Sequence, residues 1–511
     1  MNHLAPALLL LVATSTATSA ASIPGRPDEL KFPPLRYDAP NRDAFRHVLS
    51  NGVVAYVVED PSLPLVDVGV IARGGDYLDP LDKLGLAAIT TDQMRSGGAG
   101  DKDAEAFDAA VDFLAVDMNI GSGPKECTAS LNCLSKDLDK ALDLLFAALR
   151  EPRFQQDRID LYKTTVKQTL EHRNDSTTGI EMREWRRLLY GTDTFESRQQ
   201  STTTLDAITR DDLVAFHRRV FNPSNLLIRV SGAVKQADVL AALERHLAGW
   251  APGEKSPDPP VPTHVAEPGV FVVNKDDVNQ TRVSIGQRST TWDDPRRFSL
   301  EVMNEILGGG GFTSRIIKSV RSDAGLAYSA GSVLGFGRTY PMTFRVLFQS
   351  KNASVAQALD LSLAEIDRMR KEPVTAEELD IAKNGFIETF PQRFATAEDK
   401  ASVFIDDELA GRPADYWEKY RPGISSVTAA SVQSAAAEFL KPDALTVLVV
   451  GKVSEVLAGD PDKPDHQIET TAARTGIKQI PLPDAATLAY PNEPAVIVPP
   501  MPAPSATLPH D

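Results

Sequence analysis

Cysteine is nearly missing from this chain. Its 511 residues contain two, Cys127 and Cys133 in KECTASLNCLS, which excludes a disulfide-stapled scaffold. Read as a strand, at ~3.3 Å per residue, that segment sets the thiols ~20 Å apart on one face, so they are expected buried and unpaired. Histidine is scarce too: the eight are His3, His47, His172, His217, His246, His264, His466 and His510, and no two stand at ligand spacing on a helix. Positive charge is in deficit, with 54 Lys and Arg against 70 Asp and Glu and a formal net charge of -16. That balance argues against nucleic-acid binding and against anionic membrane surfaces, and suits neutral or basic partners. No apolar run is long enough to span a bilayer, so no membrane insertion is expected. The one notable run, Leu8 to Ala13, is followed by small residues ending Thr18-Ser19-Ala20. That is the order of a secretory signal peptide, so residues 1–20 are set aside from the fold and export is expected, to the periplasm in a Gram-negative source. Also absent are a G-x-S-x-G elbow, a P-loop lysine and a G-x-G-x-x-G turn between strand and helix.

What is present is a balanced globular composition, 42% hydrophobic and 24% charged, in a length sufficient for two or more domains. After a Pro-rich lead (21–42), Phe45 to Val58 gives two apolar runs split by Asn51-Gly52, a hairpin signal. Val66–Ala72 follows as a strand, Leu81–Met94 and Ala104–Leu114 as helices, Glu126–Leu134 as a strand, Leu138–Leu149 and Arg158–Asn174 as helices, and Leu226–Ser231 as a strand. Short strands among long helices favour an α+β fold, a mostly antiparallel sheet with helices on one side.

The pattern then repeats. VGVIARGGDYLDP recurs as VSIGQRSTTWDDP, with Arg73 and Pro80 mapping to Arg288 and Pro295 at an offset of 215. Thr209, Pro223, Gly232 and Val234 map to Thr428, Pro442, Gly451 and Val453 at an offset of 219. Two copies of one unit are implied, a first domain over 43–250 and a second over 270–455. The segment 251–269 between them carries six prolines and reads as a semi-rigid linker. Residues 456–511 lose periodicity and become Pro-rich, an expected extended and partly disordered tail.

In the second copy, LGGGGFTSRIIKSVRSDAGLAYSAGS (307–332) concentrates Gly308, Gly309, Gly310 and Gly311, then Thr313 or Ser314 as an expected N-cap. Arg315 to Val320 reads as a short amphipathic helix stopped by Gly325, and Leu326–Val333 as a strand. With NGVVAYVVED near the start and a GLA helix after a DP turn, this layout resembles the insulinase/pitrilysin family of zinc peptidases. The nearest likeness is to its two-domain branch, which includes mitochondrial processing peptidase and paired bacterial exported peptidases. The resemblance covers roughly residues 43–455.

The family's chemistry uses an inverted motif, H-x-x-E-H, and a later Glu. Here Ala88 stands where the first His belongs, Thr91 at the Glu base and Asp92 at the second His. Carried through RND at Arg173-Asn174-Asp175, the distal Glu position falls on Gln168, with 75 residues between it and Asp92. These residues supply one carboxylate in place of two imidazoles and a Glu, so this chain is expected to bind no metal and to carry no catalytic residue. The resemblance implies instead a non-catalytic, substrate-holding subunit of a heterodimeric zinc peptidase. In it Arg321 and Tyr328 would hold peptide carbonyls near the zinc of a homologous partner, and the glycine loop would line the entry. Asn119, Ile120, Gly121 and Ser122 would offer an edge strand to an unfolded or extended peptide. The alternative is a stand-alone peptide-binding or scaffold protein with the same fold and no hydrolysis.

Overall fold

Two mixed sheets carry the chain, and their strands come in the same spatial order. The computed structural model describes Arg26, Leu30 and residues 35–501; the expected signal peptide lies outside them. A compact unit begins at Ala39 and takes in both copies. The first sheet contains β1 (Arg46–Val48), β2 (Val54–Glu59), β3 (Leu65–Arg73), β4 (Asp117–Ser122), β5 (Glu126–Leu134) and β6 (Leu226–Gly232), in the order β1-β2-β6-β3-β5-β4. Only β2 and β6 run parallel. The Asn51-Gly52 signal does make the β1–β2 hairpin, with Gly52 at φ 87.

The second copy gives β7 (Gly269–Asn274), β8 (Gln280–Arg288), a small parallel pair β9 (Thr290–Thr291) and β11 (Phe336–Gly337), β10 (Ala327–Leu334), β12 (Thr343–Lys351) and β13 (Thr446–Gly451). Its order β7-β13-β8-β12-β10 repeats β2-β6-β3-β5-β4. Strands β3 and β8 sit 215 residues apart at both ends, 280 − 65 and 288 − 73.

Eight helices follow the first sheet's strands: α1 (Leu86–Ser96), α2 (Ala104–Phe113), α3 (Leu138–Arg150), α4 (Gln156–Glu171), α5 (Thr177–Tyr190), α6 (Thr202–Ala207), α7 (Arg210–Val220) and α8 (Gln236–Leu247). The second copy adds α9 (Arg297–Asn304), α10 (Val355–Lys371), α11 (Ala376–Thr389), α12 (Ala397–Ala410), α13 (Tyr416–Ser425) and α14 (Ala429–Phe439). Capping boxes Thr209/Asp212 on α7 and Thr428/Ser431 on α14 occupy duplicate positions and satisfy the orphan N–H groups there. The helix expected over Leu81–Met94 is cut: Leu81–Lys83 is a 3₁₀ turn, and Gly85 at φ 99 breaks the path before α1 starts at Leu86.

One face of the first sheet, with Ala55, Val57, Val68 and Val70, packs on Ile89, Leu145, Leu213 and Val239 from α1, α3, α7 and α8. The opposite faces are covered by exchange. Helix α5 of the first copy lays Ile180, Trp185, Leu189 and Tyr190 against Phe271, Val273, Leu448 and Val450 of the second sheet. Helix α12 of the second copy lays Ala397 and Ala401 against Val58, and Phe404 against Tyr56, whose hydroxyl donates to Glu408 at 2.8 Å. This explains why VVAYVV and TVLVVG are apolar without alternation: both faces of those strands are buried.

The tail, expected to be extended and partly disordered, carries short regular elements among its described residues. It forms α15 (Val453–Ala458), α16 (Ile468–Thr471), β14 (Ile477–Gln479) and β15 (Ala495–Val498). Strand β14 joins β7 in parallel, taking the place that β1 holds beside β2. Residues 251–268 hold neither helix nor strand. Cys127 and Cys133 are buried, unpaired and on the inner face of β5.

Candidate functional site

Helix α9 runs out at Asn304 into a π turn over Glu305–Gly309, a 3₁₀ turn over Gly311–Thr313 and a second π turn over Ile317–Asp323. Such wide turns are rare and collect at functional sites. The regular α-helix expected from Arg315 to Val320 is therefore replaced, and no N-cap forms. The Ser314 hydroxyl donates instead to the Gly311 carbonyl at 2.7 Å, and Arg315 is buried in a bidentate pair with Glu378 at 2.7 and 2.8 Å. Burial pushes the Glu378 carboxyl up, but that guanidinium and the Thr375 cap more than reverse it, to about 2. The glycines have distinct reasons. A Cβ on Gly308 would stand 2.5 Å from the backbone N of Ser332 in β10, and Gly311 takes φ 64 with open space around it. Gly325 at φ 65 ends the segment where the sequence placed the stop.

Arg321 and Tyr328 do come together. The guanidinium carbon of Arg321 lies 5.1 Å from the Tyr328 ring centre and 4.6 Å from that of Phe312, between the two rings. Among the described residues no carboxylate pairs with Arg321, so its N–H donors remain available. Tyr328 is the extra residue of a β-bulge. Ala327 pairs with Ser350 and Ser329 with Gln349, which leaves Tyr328 unpaired and turned outward at 86% exposure. Phe312, 70% exposed at the loop tip, is a member of this cluster that sequence reasoning passed over. Its signal was its position directly after four glycines.

Asn119, Ile120, Gly121 and Ser122 lie in β4, the outermost strand of the first sheet, paired only to β5. Nothing stands within 4 Å of a Cβ on Gly121. Helix α1 flanks this edge, and Arg95 donates to the Met118 carbonyl at 3.1 Å.

On α1, the Thr91 hydroxyl is buried and donates back to the Ala87 carbonyl at 2.9 Å. Asp92 accepts from Gln93 at 2.8 Å and Ser96 at 2.9 Å, while Gln168 is exposed on α4. Ala88 opens onto a cavity of about 670 Å³ that also meets Asp76, Asp79, His172 and Arg173. Among the described residues no group of three His, Cys, Asp or Glu could hold a metal. A methyl group, a hydroxyl tied to its own helix, one internally bonded carboxylate and an exposed amide do not fit zinc. Above them, Asp79 caps α1 by accepting from the N–H groups of Gly85 and Ala87, both at 2.9 Å, yet burial pushes its carboxyl up to about 7.

Residues 207–386 match the family described as Peptidase M16 inactive domain, to which this part of the chain is similar. An uncharacterized zinc protease of Rickettsia felis is 23% identical over 285 residues, 56% of this chain and 68% of that one. The non-peptidase homolog YmxG of Helicobacter pylori is 23% identical over 359 residues, 70% of this chain and 82% of that one. The crystal structure of a peptidase M16 inactive domain from Pseudomonas fluorescens superposes with a TM-score of 0.71 at 24% identity, covering 80% of this chain and 97% of that one.

Proposed function

We propose that this chain is the non-catalytic, substrate-holding subunit of an exported, periplasmic heterodimeric peptidase, with zinc supplied by a homologous partner subunit across a closed chamber. The observation that carries the reading is the outward Arg321–Tyr328 pair on a glycine loop, kept in a chain whose α1 and α4 positions offer no ligand set. A guanidinium and a phenol are donors that can hold peptide carbonyls without reading side chains. Fixing a peptide at the correct place can supply several kcal/mol of a barrier, on the order of 7 or more in the best intramolecular cases. The open edge of β4 would take the same extended peptide by strand addition. A net charge of -16 favours neutral or basic unfolded peptides.

The test is reconstitution with a similar chain bearing an intact H-x-x-E-H. Each chain alone should cleave no peptide, and the mixture should. Arg321→Ala is expected to lower the mixture's kcat/KM at least about tenfold, a cost of ~1.4 kcal/mol, while Asp92→Ala leaves it unchanged. Activity that is indifferent to Arg321→Ala would remove the role given to that side chain. The second reading, a stand-alone peptide-binding or scaffold protein, draws on the β4 edge, which needs no metal to bind a strand. Peptide binding by this chain with no gain of hydrolysis on adding any zinc-bearing relative would favour it.

A further inference from the structure

The cavity of about 670 Å³ beside α1 has the volume of a small-ligand site and holds polar groups that nothing in the chain satisfies. Leu84, Ala88, Leu170, Met182 and Phe195 give it an apolar wall, and charge gathers at two poles. Arg173, between α4 and α5, and Arg198, between α5 and α6, make the basic pole. Each gives its Nη2 to a backbone carbonyl, that of Gln200 at 2.7 Å and that of Asp193 at 2.6 Å. Arg173 Nη1 and Arg198 Nε are buried with no acceptor, and among the described residues no carboxylate pairs with either guanidinium. Burial lowers Arg173 to about 10, the mark of a cation held without a counter-charge.

Asp76 and Asp79 make the acidic pole. Asp79 spends both oxygens on the N–H groups of Gly85 and Ala87, whereas Asp76 accepts from the Ser122 hydroxyl through Oδ1 alone, at 2.8 Å, and burial raises its carboxyl. Gln200 joins the poles. Its carbonyl takes Arg173, and its Oε1 would stand 2.3 Å from a Cβ on Gly85, the residue bonded to Asp79. That Oε1 is buried and accepts nothing. His172, the remaining titratable group of the lining, is exposed and bonded to Asp175 at 2.8 Å.

We propose that this cavity binds a free dipeptide with apolar side chains, its carboxylate on Arg173 and Arg198, its amide N–H on Gln200 Oε1 and its ammonium on Asp76. The three buried unpartnered atoms then gain partners, as buried polar groups require, and the side chains meet the apolar wall. A simple anion would leave Asp76 and the Gln200 oxygen unanswered. A free amino acid has no amide N–H to offer Gln200. All the lining residues belong to the first copy, so the site needs neither Arg321 nor a partner subunit.

Calorimetric titration of the full chain near neutral pH with leucyl-leucine tests this, beside leucyl-leucine amide, which lacks the carboxylate, and N-acetyl-leucyl-leucine, which lacks the ammonium. The free dipeptide should bind, and each blocked form should bind at least about tenfold more weakly, since a site built for a polar group rejects the analogue without it. Arg198→Gln should weaken the free dipeptide about tenfold and leave the amide within about twofold, a split that general damage to the fold would not produce. Ala88→Leu, which narrows the cavity and touches no charge, should weaken all three. Equal binding of the free dipeptide and either blocked form overturns the inference. So does an affinity for the dipeptide that survives Arg198→Gln unchanged, and so does no binding of the dipeptide by the intact chain.

Discussion

Asp79 and Asp294 hold the same place in the two copies, each before a proline, and their surroundings drive them apart. Asp294 accepts from the Arg296 backbone at 2.8 Å and from its guanidinium, which holds the carboxyl down at about 2. Asp79 has no cation. Burial dominates, and two N–H groups only partly offset it, so its carboxyl rises from 3.8 to about 7. A folded-state value above the unfolded one contributes stability that is complete below about pH 4 and is lost as pH rises through 7. Asp79→Asn, which imitates the protonated form, should therefore gain on the parent chain between pH 4 and pH 7, by ~2–4 kcal/mol at ~1.4 kcal/mol per pKa unit. Urea unfolding of both chains at pH 4, 5.5 and 7 measures it, and parallel stability curves would contradict the assignment. The sequence displayed this aspartate only as half of a repeated Asp-Pro. The two titrations differ because one neighbour is Arg296 and the other is a buried helix start, which no repeat reveals.

At the scale of elements, α5 is fastened to the other copy's sheet by Glu181. Its carboxylate accepts from Arg282 at 2.6 Å and also from Ser284 and Arg345, in a site where the Glu181 side chain is 1% exposed. Burial pushes Glu181 up, but the two guanidiniums and the hydroxyl outweigh it and hold the group ionised. Glu181→Gln should cost ~3–5 kcal/mol, because two half-buried guanidiniums lose their counter-charge. A shift of the denaturation midpoint equivalent to less than ~1 kcal/mol would show that α5 is held by Ile180, Trp185 and Leu189 alone. The sequence reading placed no helix at α5 and gave Glu181 no role, since a polar side chain within a helix does not declare its distant partner. What it did display was local: the hairpin at Asn51-Gly52, the registers of β3 and β8, and the short path from Gly311 through Arg321 to Tyr328. The bulge at Tyr328 escaped it because pairing with β12 decides it, and β14 escaped it because three residues among prolines carry no period.

For the whole molecule, the exchange of α5 and α12 changes what the Pro-rich segment does. Helix α12 covers β2 and β6 of the first sheet and α5 covers β8 and β13 of the second, and Arg338 bonds Glu126 while Tyr340 bonds Glu196 between the same two halves. A specific protease site placed beside Val265, which is 87% exposed, is expected to sever the chain without parting it. The two pieces should elute together at the size of the intact chain in native buffer and separate only in denaturant; separation without denaturant would refute this. Thermal unfolding of the cut and uncut chains should each show one transition, because neither sheet keeps a complete covering once the other lets go. The protein thus has no spare half to shed: damage to either copy is a fault of both.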